Sequence, residues 1–579
     1  MKRCNRIFPG VPGVIFNGVP DFLYETEMLQ LDRALWFSPD GQTLMYVIYN
    51  DTLVQQHKYS WYGLDQQEPP AYPAIRTLRY PKMNTNNPAV TVYVVSLKTP
   101  KFLFPHAIQF NSPFDSGWYI RWTSWVSERQ VAALLLNRPQ NLSIITTCNA
   151  VTYNCQDIYR DESDASRWSG LGSDPEEECG WCGGAALVGG RSGIFTSIPV
   201  TDQGGVWRHA IHLTPETRTT ITQGNFEITQ LIGWDEKRRL LYVIGTAPDK
   251  AGERHLYRVS VPVDGWPPPP VCLTCPGRMI EATGEPSTEE PECLGPEPPA
   301  IFLCTSAGSR RAVLWDGAPL RQKFAALASP QAKVFRVEVQ AQRSARVRLL
   351  LPPGLRDTDD LPLPLVLHLS SAPGSQLVTE QWAPRWGWYL AAARNFIVAE
   401  INARGSGGQG GELRTEIYQK LLSVDVEDQI AVLSYLRDNL KMVDGSRTGA
   451  WGSGYGAAAA LALAAGDAAN LTRCLALLAP LADLRHHNSF WSESYEGVGG
   501  GASLGVWRRV SSVPPRRVLL AHATADVRAK TRVYPDEGHS FERSFLHVYS
   551  SMEQFFDECF GPVELADWDN PGGLFPFRD

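Results

Sequence analysis

Short apolar runs separated by turns fill the first 330 residues of the chain. Three of these turns begin with tryptophan, at Trp36, Trp125 and Trp234, and an apolar run follows each of them. The strands predicted from these runs and from their partners are Thr43–Tyr49, Thr91–Leu97, Gln130–Leu136, Leu142–Thr147, Leu240–Ile244 and His255–Val261. Short strands in imperfect repeats with aromatic turns indicate the blades of a β-propeller, and a β-sandwich is the alternative.

The pattern changes near residues 330–340. Short runs of buried-strand type at Leu363–Leu369 and Asn395–Ile401 predict strands. Ser423 is a candidate N-cap for a helix, and the apolar face of that helix is formed by Val426, Ile430, Leu433, Leu436 and Leu440. The further predicted elements are a strand at Thr448–Trp451, a helix at Ala457–Ala465, strands at Cys474–Leu478 and Arg517–Ala521, and a last helix from about Glu542 to Cys559. This alternation indicates a parallel sheet covered on both faces, so we predict one domain over residues 1–330 and another over residues 335–579.

The composition is that of a folded globular protein. The chain has 579 residues, of which 43% are hydrophobic, and a net charge of −7, whereas a disordered chain has fewer apolar residues and a stronger charge. No basic tract is present that could neutralise phosphates, so we expect no nucleic-acid partner. The longest run of small apolar residues, Ala457–Ala465, has about half the length of a bilayer-spanning helix.

Cysteines and glycosylation sequons indicate a secretory-pathway protein. The chain has 11 cysteines, and sequons begin at Asn50, Asn141 and Asn470. No secretory signal accompanies them, because the segment Pro9–Gly13 interrupts any apolar run after the basic N-terminus. Either the thiols are reduced and the sequons are accidental, or an N-terminal segment is missing, and we expect a missing segment.

The segment Trp451–Gly456 lies between a predicted strand and a predicted helix. This is the context of the nucleophile elbow, G-x-S-x-G, in which a strained turn projects a serine above the sheet. The two outer glycines are present as Gly452 and Gly456, but the middle position is Gly454. Ser453 lies one residue earlier, and we expect its side chain to leave the turn in another direction. The alternative is a glycine-rich turn with no relation to catalysis.

Two downstream residues favour the elbow. Asp526 and His539 each follow a predicted strand, and the order nucleophile, acid, histidine is the order of the α/β-hydrolases. The acid and the base are therefore present without the nucleophile. Removal of such a serine lowers turnover by a factor on the order of 10⁶. The sequence predicts a triad that has lost its activity.

Five segments resemble the dipeptidyl peptidase IV branch of the prolyl oligopeptidase family, and together they span nearly the whole chain. They are Phe16–Glu25, Leu136–Ser143, Arg404–Gly407, Val426–Gln429 and Tyr534–His539. Gly454 and the segment Gln376–Thr379 resemble the non-catalytic members of that branch, inactive dipeptidyl peptidase 10 and dipeptidyl aminopeptidase-like protein 6. The resemblance implies an eight-bladed N-terminal propeller on an α/β-hydrolase domain.

The chain departs from the family pattern at two places. It begins inside the propeller, so we expect an incomplete propeller. Only six residues, Val527–Arg532, lie between Asp526 and Val533, where family members have a helix. A typical helix takes about 11–12 residues, so we expect an internal deletion of one βα crossover. A splice form or an incomplete gene model would explain both departures.

The resemblance also implies a role and a location. The non-catalytic members are type II single-pass glycoproteins of the plasma membrane, and they are accessory subunits of A-type (Shal) voltage-gated potassium channels. We therefore expect a channel subunit as partner, a homodimer or a heterodimer with related proteins, and no cofactor. The alternative is an active serine exopeptidase that removes Xaa-Pro dipeptides with Ser453 as nucleophile.

Most of the substrate-binding positions of the family carry other residues in this chain. The positions carried over are Glu25, Thr26 and Glu27 for the substrate's amino group, Ser370 for the oxyanion, His487 and Trp491 for the tyrosines of the proline pocket, and Tyr455 beside the elbow. Thr26 replaces a glutamate, so the ammonium loses a charge-assisted partner. Ser370 replaces a tyrosine and is too short to reach a tetrahedral intermediate, where one such donor is worth about 10²–10³ in rate. Tyr455 is unchanged.

The resemblance implies four disulfides. The implied pairs are Cys148–Cys155, Cys272–Cys275, Cys293–Cys304 and Cys474–Cys559, and they leave Cys4, Cys179 and Cys182 unassigned. Two of the cysteine pairs, Cys179/Cys182 and Cys272/Cys275, have C-x-x-C spacing, and the alternative for them is a shared zinc site. No histidine pair accompanies either of them, so we expect no metal. The glycine-rich segment Arg404–Gly411 lacks a P-loop lysine, so we expect a structural turn there rather than a phosphate loop.

Overall fold

A computed structural model gives the fold of the chain. The structure describes residues 10–63, 70–99, 103–111, 117–163, 167–171, 187–190, 193–202, 205–263, 265–275, 292–293, 295, 297–305, 310–340, 343–356, 359, 361–370, 373–467, 469–481, 483–497, 517–523 and 534–561. Among these residues, no helix is long and apolar enough to span a bilayer.

The N-terminal part is built from short antiparallel strands. They are β1 (Ile15–Asn17), β2 (Leu35–Phe37), β3 (Thr43–Asn50), β4 (Gln56–Trp61), β5 (Ala74–Arg79), β6 (Ala89–Ser96), β7 (His106–Ala107), β8 (Tyr119–Trp125), β9 (Gln130–Leu136), β10 (Leu142–Asn149), β11 (Cys155–Glu162), β12 (Leu187–Gly190), β13 (Gly193–Asp202), β14 (Gly205–Leu213), β15 (Arg218–Thr220), β16 (Ile228–Asp235), β17 (Leu240–Ala247), β18 (Lys250–Ser260), β19 (Val271–Cys272), β20 (Glu292–Cys293), β21 (Ala300–Cys304) and β22 (Arg310–Trp315). A π-helical turn, Tyr24–Leu29, connects β1 to β2.

These strands form successive meanders, as propeller blades do. In the described part of the chain, the first sheet has five strands, β1, β2, β3, β6 and β7, and the hairpin β4–β5 forms a separate two-stranded sheet. Three four-stranded sheets follow, β8–β11, β12–β15 and β16–β19, and a three-stranded sheet of β20–β22 is the last. The central strand β9 is buried at six of its seven residues, which explains its continuous apolar run. The propeller prediction is confirmed, and the sandwich alternative is wrong.

The strand ends show where the sequence pattern is insufficient. The predicted strands Gln130–Leu136, Cys474–Leu478 and Arg517–Ala521 match the structure residue for residue. In contrast, β18 begins at Lys250, five residues before the predicted start at His255. Its first half is polar and pairs with β17 through backbone hydrogen bonds, and such pairing needs no apolar side chain.

The C-terminal part is a seven-stranded sheet with helices. Its strands are β23 (Gln331–Glu338), β24 (Ser344–Leu351), β25 (Leu363–His368), β26 (Ile397–Asn402), β27 (Val443–Ser453), β28 (Cys474–Leu478) and β29 (Arg517–Ala521). The helices are α1 (Ala318–Ala325), α2 (Trp386–Arg394), α3 (Gly411–Thr415), α4 (Val424–Asn439), α5 (Tyr455–Gly466), α6 (Ser489–Glu496) and α7 (Phe545–Phe560), and a 3₁₀ turn covers Leu484–His486. The strand order is β23-β24-β26-β25-β27-β28-β29, parallel from β26 onward, which is the order of an α/β-hydrolase. The α/β-hydrolase prediction is confirmed, whereas the limits of both domains stay a prediction.

The two faces of this sheet are packed separately. On β25, Leu365 and Leu367 belong to a cluster with α4 and α5, and Val366 between them belongs to a cluster with α2 and α7. Alternate residues of a strand point to opposite faces, so a strand buried on both faces is apolar throughout. Ser423 precedes α4 as predicted, but its side chain makes no capping hydrogen bond; its backbone N–H donates to Asp425 Oδ1 at 3.0 Å.

Three of the four implied disulfides are present. They are Cys148–Cys155, Cys272–Cys275 and Cys474–Cys559, and the last of them ties α7 to β28. The disulfide at Cys272 and Cys275 excludes the zinc alternative while this bond is intact. The side chain of Cys293 lies outside the described residues, as do Cys4, Cys179 and Cys182, so the pair Cys293–Cys304 stays a prediction.

Candidate functional site

The strand β27 and the helix α5 meet in a sharp turn at Gly454. This residue has φ 55° and ψ −114°, a conformation that costs residues with a side chain on the order of 1–3 kcal/mol. Its N–H donates to Leu478 O at 2.9 Å, and its carbonyl accepts from Leu481 N at 3.0 Å. The backbone of a nucleophile elbow is therefore present without the nucleophile's oxygen.

The outer glycines of the turn are required by close backbone approach. A Cβ atom on Gly452 would lie 2.4 Å from the carbonyl carbon of Gly456. A Cβ atom on Gly456 would lie 2.5 Å from the carbonyl oxygens of both Leu369 and Ser370. The elbow is thus packed directly against the end of β25, and this packing explains the spacing of the two glycines.

Ser370 lies beside the elbow, where the resemblance places the oxyanion donor. Its hydroxyl is hydrogen-bonded to the hydroxyl of Ser375. The expected oxyanion position therefore carries a short side chain, and its hydroxyl is already hydrogen-bonded to Ser375.

Tyr455, which follows the turn, is buried at the start of α5. Its hydroxyl donates to Asp425 Oδ2 at 2.6 Å and accepts from Leu422 N at 3.1 Å, so the ring is fixed to the start of α4. Burial raises the pKa of Tyr455 well above its ordinary value, and burial also raises the pKa of Asp425. The tyrosine is therefore neutral and acts as a structural group.

An aromatic group replaces the proline-pocket tyrosines. The ring centroid of Trp491 on α6 lies 5.0 Å from that of His487, 4.6 Å from that of Tyr495 and 6.2 Å from that of Tyr455. His487 is 5% exposed, and its Nδ1 accepts from Asn488 N at 2.8 Å. His487 lies between the 3₁₀ turn Leu484–His486 and α6, and its ring packs against that of Trp491, which accounts for its burial.

The segment that corresponds to the amine anchor is the π-helical turn Tyr24–Leu29. Glu25 and Thr26 are exposed, and the Thr26 hydroxyl donates to Phe22 O at 2.8 Å within its own turn. Tyr24 anchors the turn, because its hydroxyl accepts from Ile120 N at 3.2 Å. The turn is therefore fixed to the propeller, with one carboxylate fewer than the family pattern.

Of the remaining triad positions, the structure describes His539 only. It lies in the described segment that begins at Tyr534. Within this segment, Tyr534 forms a parallel bridge with Ala523, and Asp536 Oδ1 accepts a hydrogen bond from Tyr62 N at 2.6 Å. Asp526 and the segment Val527–Arg532 lie outside the described residues. The pairing of Asp526 with His539 and the internal deletion both stay predictions.

Sequence reasoning missed the contact that joins α6, the helix of Trp491, to the propeller. Arg138, in the turn between β9 and β10, donates through Nε to Glu493 Oε2 on α6 at 2.6 Å, and its Nη2 donates to Oε1 of the same carboxylate. Asn84 N donates to Oε1 of Glu493 at 2.8 Å. Arg138 belongs to one of the segments on which the resemblance rests, and that is the one signal in the sequence that could have marked it.

The predicted glycosylation sites differ in exposure. Asn50 and Asn470 are exposed, whereas Asn141 is half-buried and its Oδ1 accepts from Asn137 Nδ2 at 2.7 Å. Glycosylation of these asparagines stays a prediction.

The blade-like sheets, the strand order of the C-terminal sheet and the elbow define a propeller-bearing α/β-hydrolase of the serine-peptidase type. Residues 8–287 match the dipeptidyl peptidase IV N-terminal region, and residues 382–531 match the prolyl oligopeptidase family. The chain belongs to the dipeptidyl peptidase IV branch of the prolyl oligopeptidase family.

Relatives with and without "inactive" in their names are similar to this chain to the same degree. The chain is 28% identical to venom dipeptidyl peptidase 4 of Apis mellifera over 95% of this chain and 74% of the relative. It is 28% identical to inactive dipeptidyl peptidase 10 of Mus musculus over 95% and 71%, and 27% identical to prolyl endopeptidase FAP of Homo sapiens over 96% and 75%. The crystal structure of Porphyromonas gingivalis dipeptidyl peptidase 4 has the same fold, with a TM-score of 0.78 at 20% identity over 94% of this chain and 77% of that one.

Proposed function

We propose that this protein is a catalytically inactive member of the dipeptidyl peptidase family. The observation that carries the proposal is Gly454 at the apex of an otherwise intact elbow. Glycine has no oxygen that could attack a peptide carbonyl, and loss of the nucleophile alone lowers turnover by a factor on the order of 10⁶.

Two further positions support inactivity independently. Ser370 stands where the family has its oxyanion tyrosine, and Thr26 stands where the family has a glutamate that binds the substrate's amino group. Both hydroxyls have neighbours of their own, Ser375 and the carbonyl of Phe22. Losses of nucleophile, oxyanion donor and amine anchor together are the pattern of a site that no longer turns over substrate.

The test is an assay of the purified protein with an Xaa-Pro chromogenic substrate and with a fluorophosphonate probe. We expect no turnover above the background and no labelling. Turnover, or labelling at Ser453, would instead support the alternative of an active serine exopeptidase. A Ser453→Ala variant separates the two, because it abolishes any labelling that depends on this hydroxyl.

We further propose that the protein acts by binding, as an accessory subunit of an A-type voltage-gated potassium channel at the plasma membrane. Its support is the resemblance to the non-catalytic members, together with the sequons and the disulfides Cys148–Cys155 and Cys474–Cys559, which suit an extracellular domain. A homodimer or a heterodimer with related proteins belongs to the same proposal, as does a type II membrane anchor.

Co-expression with an A-type channel tests this role. We expect the protein carrying a type II membrane segment at its N-terminus to speed gating of the current, and the 579-residue chain without that segment to leave it unchanged. Modulation by the 579-residue chain would show that the propeller and hydrolase domains are sufficient. No modulation by either form would contradict the channel assignment.

A further inference from the structure

A group of potential metal ligands lies on the propeller sheet β16–β19, outside the elbow site. The Sγ atoms of Cys272 and Cys275 and a ring nitrogen of His255 lie within 4.8 Å of one another. Among the residues that the structure describes, this is the one cluster of three or more such ligands at metal-binding separation. The imidazole is 12% exposed and Cys272 is 9% exposed, so the group is largely shielded from solvent.

Strand geometry holds the three groups together. Glu253, His255 and Tyr257 alternate along β18 and therefore share one face of the sheet. Tyr257 lies opposite Cys272 on β19, and Leu273 N donates to Leu256 O at 2.8 Å. The C-x-x-C loop is thus fixed to the strand that carries the histidine.

The hydrogen bonds around His255 fix which ring nitrogen has the lone pair. The hydroxyl oxygen of Thr274, Oγ1, accepts a hydrogen bond from Leu256 N at 3.0 Å. The hydroxyl proton of Thr274 can therefore be donated to His255 Nδ1, which lies 3.3 Å from Oγ1. The other nitrogen, Nε2, donates to Glu253 Oε2 at 3.0 Å. In this tautomer Nδ1 presents its lone pair to Thr274, which lies between the two cysteines.

Glu253 is held in place behind the imidazole. Lys250 Nζ donates to its Oε1 at 2.8 Å. Metal-binding histidines commonly donate their second N–H to such a carboxylate, which orients the ring and raises its basicity.

We propose that the dithiol form of this loop binds one zinc ion through Cys272 Sγ, Cys275 Sγ and His255 Nδ1. Two thiolates and one imidazole are ligands that zinc prefers, and a water molecule completes the tetrahedron. The C-x₂-C spacing is that of zinc-binding loops, in which Zn–S distances of about 2.3 Å place the two sulfurs about 3.8 Å apart. The loop therefore alternates between a disulfide and a zinc site according to its redox state.

The conversion needs a reductant, which is a dithiol. A thiolate of the dithiol attacks the Cys272–Cys275 bond and forms a mixed disulfide, and its second thiol resolves this intermediate, so the dithiol loses two electrons and becomes a disulfide. The two cysteines gain the electrons and two protons. Zinc then displaces both thiol protons, which pass to the solvent, and the binding is stronger at higher pH.

Titration with cobalt, which reports thiolate ligation by its absorption, tests the proposal on the whole chain. The experiment compares the oxidised protein with protein that has been reduced by dithiothreitol. The reductant is removed under anaerobic conditions before the titration, and near-ultraviolet circular dichroism monitors the fold. We expect one equivalent of cobalt with thiolate-to-metal absorption in the reduced protein only, and displacement by zinc. Absence of this absorption, or loss of the fold on reduction, would overturn the proposal.

Variants identify the ligands. His255→Gln leaves the disulfide intact and should abolish stoichiometric binding, and Glu253→Gln should weaken it by a factor of about 10–100. Two controls, Cys148→Ser/Cys155→Ser and Cys179→Ser/Cys182→Ser, remove other cysteine pairs and should leave the titration unchanged. Binding that persists in His255→Gln, or that disappears in the Cys179→Ser/Cys182→Ser control, would overturn the assignment.

Discussion

Arg138 of the propeller and Glu493 of α6 form an ion pair across 355 residues of sequence, and the glutamate side chain is fully buried. Burial alone would lower the pKa of Arg138, but the hydrogen bond and the charge of Glu493 raise it. The neighbouring contacts are of the same kind: Gln140 Nε2 donates to Phe490 O at 2.7 Å, and Trp168 Nε1 donates to Ser494 O at 2.7 Å. The helix next to the elbow is therefore held by the propeller.

Removal of Arg138 should destabilise the protein strongly. An Arg138→Met variant leaves the Glu493 carboxylate buried without its cation, which typically costs about 3–5 kcal/mol in the free energy of unfolding. The double variant with Glu493→Gln should lose less than the sum of the two single changes. Urea-induced unfolding measures these differences.

The exposed pair Arg160–Glu162 is the control for this experiment. Its side chains are 51% and 63% exposed, and such surface pairs contribute about 0–1 kcal/mol. Arg160→Met should therefore shift the urea midpoint little. Equal effects of Arg138→Met and Arg160→Met would contradict the idea that α6 depends on the propeller.

The sequence predicted the elements better than the contacts between them. Strands such as Cys474–Leu478 are continuous apolar runs between turns, so their limits are encoded locally. The π-helical turn Tyr24–Leu29 and the pair Arg138–Glu493 depend on residues distant in sequence, and no local pattern indicates them. At the site, Gly454 and its neighbours followed from motif spacing, whereas the burial of His487 depended on how α6 packs.

Restoring the serine of the elbow should not restore activity. Gly454 has φ 55° and ψ −114°, so Gly454→Ser should lower the free energy of unfolding by about 1–3 kcal/mol. Turnover of an Xaa-Pro substrate should stay at the background because Ser370 and Thr26 are unchanged. Gly454→Ala is the matched control, since it adds the same strain without a hydroxyl. Measurable turnover by the serine variant would show that the rest of the site is competent.

Glu400 should make the hydrolase domain sensitive to acid. Burial alone would raise its pKa, but hydrogen bonds and charges of His368 and Arg348 lower it to about 2, with Arg348 Nε 2.7 Å from Oε2. A carboxyl with a lowered pKa stabilises the fold above its unfolded pKa, near 4.5, and loses this contribution as the pH falls toward 2. The shift corresponds to a contribution on the order of 3 kcal/mol.

Glu400→Gln tests this contribution. At pH 7 the variant should be less stable than the parent protein. Between pH 5 and pH 3 its stability should fall less than that of the parent, because it has no carboxyl at this position to protonate. Thermal unfolding measures both differences. Glu380, whose side chain is 42% exposed and lies 3.1 Å from Arg346, supplies the control Glu380→Gln, which should retain that decrease. If the stability of Glu400→Gln fell in acid as much as that of the parent protein, other carboxyl groups would be the cause of the decrease.

Asp21 and Asp51 should give the propeller the opposite dependence on pH. Both are buried, and burial is the main cause that raises the pKa of each; the charge of Asp51 raises that of Asp21 further. A carboxyl with a raised pKa binds its proton more tightly in the folded state, so the fold loses stability as the pH rises above the unfolded value near 4. The affected element is the π-helical turn Tyr24–Leu29, because Asp21 accepts from Leu23 N at 3.1 Å at its start.

Asp21→Asn separates the charge from the hydrogen bond. Its amide oxygen still accepts from Leu23 N, but it never ionises, so the variant should be more stable than the parent protein at pH 8 and should differ little from it at pH 3, below the unfolded pKa. Asp40→Asn is the control: Asp40 is exposed and its pKa is lowered, mainly by the Ser38 hydroxyl, so this change should bring no gain at pH 8. Thermal unfolding at both pH values measures the difference. If Asp21→Asn were no more stable than the parent at pH 8, the pKa of Asp21 would not be raised in the folded protein, and the predicted pH dependence of the propeller would be wrong.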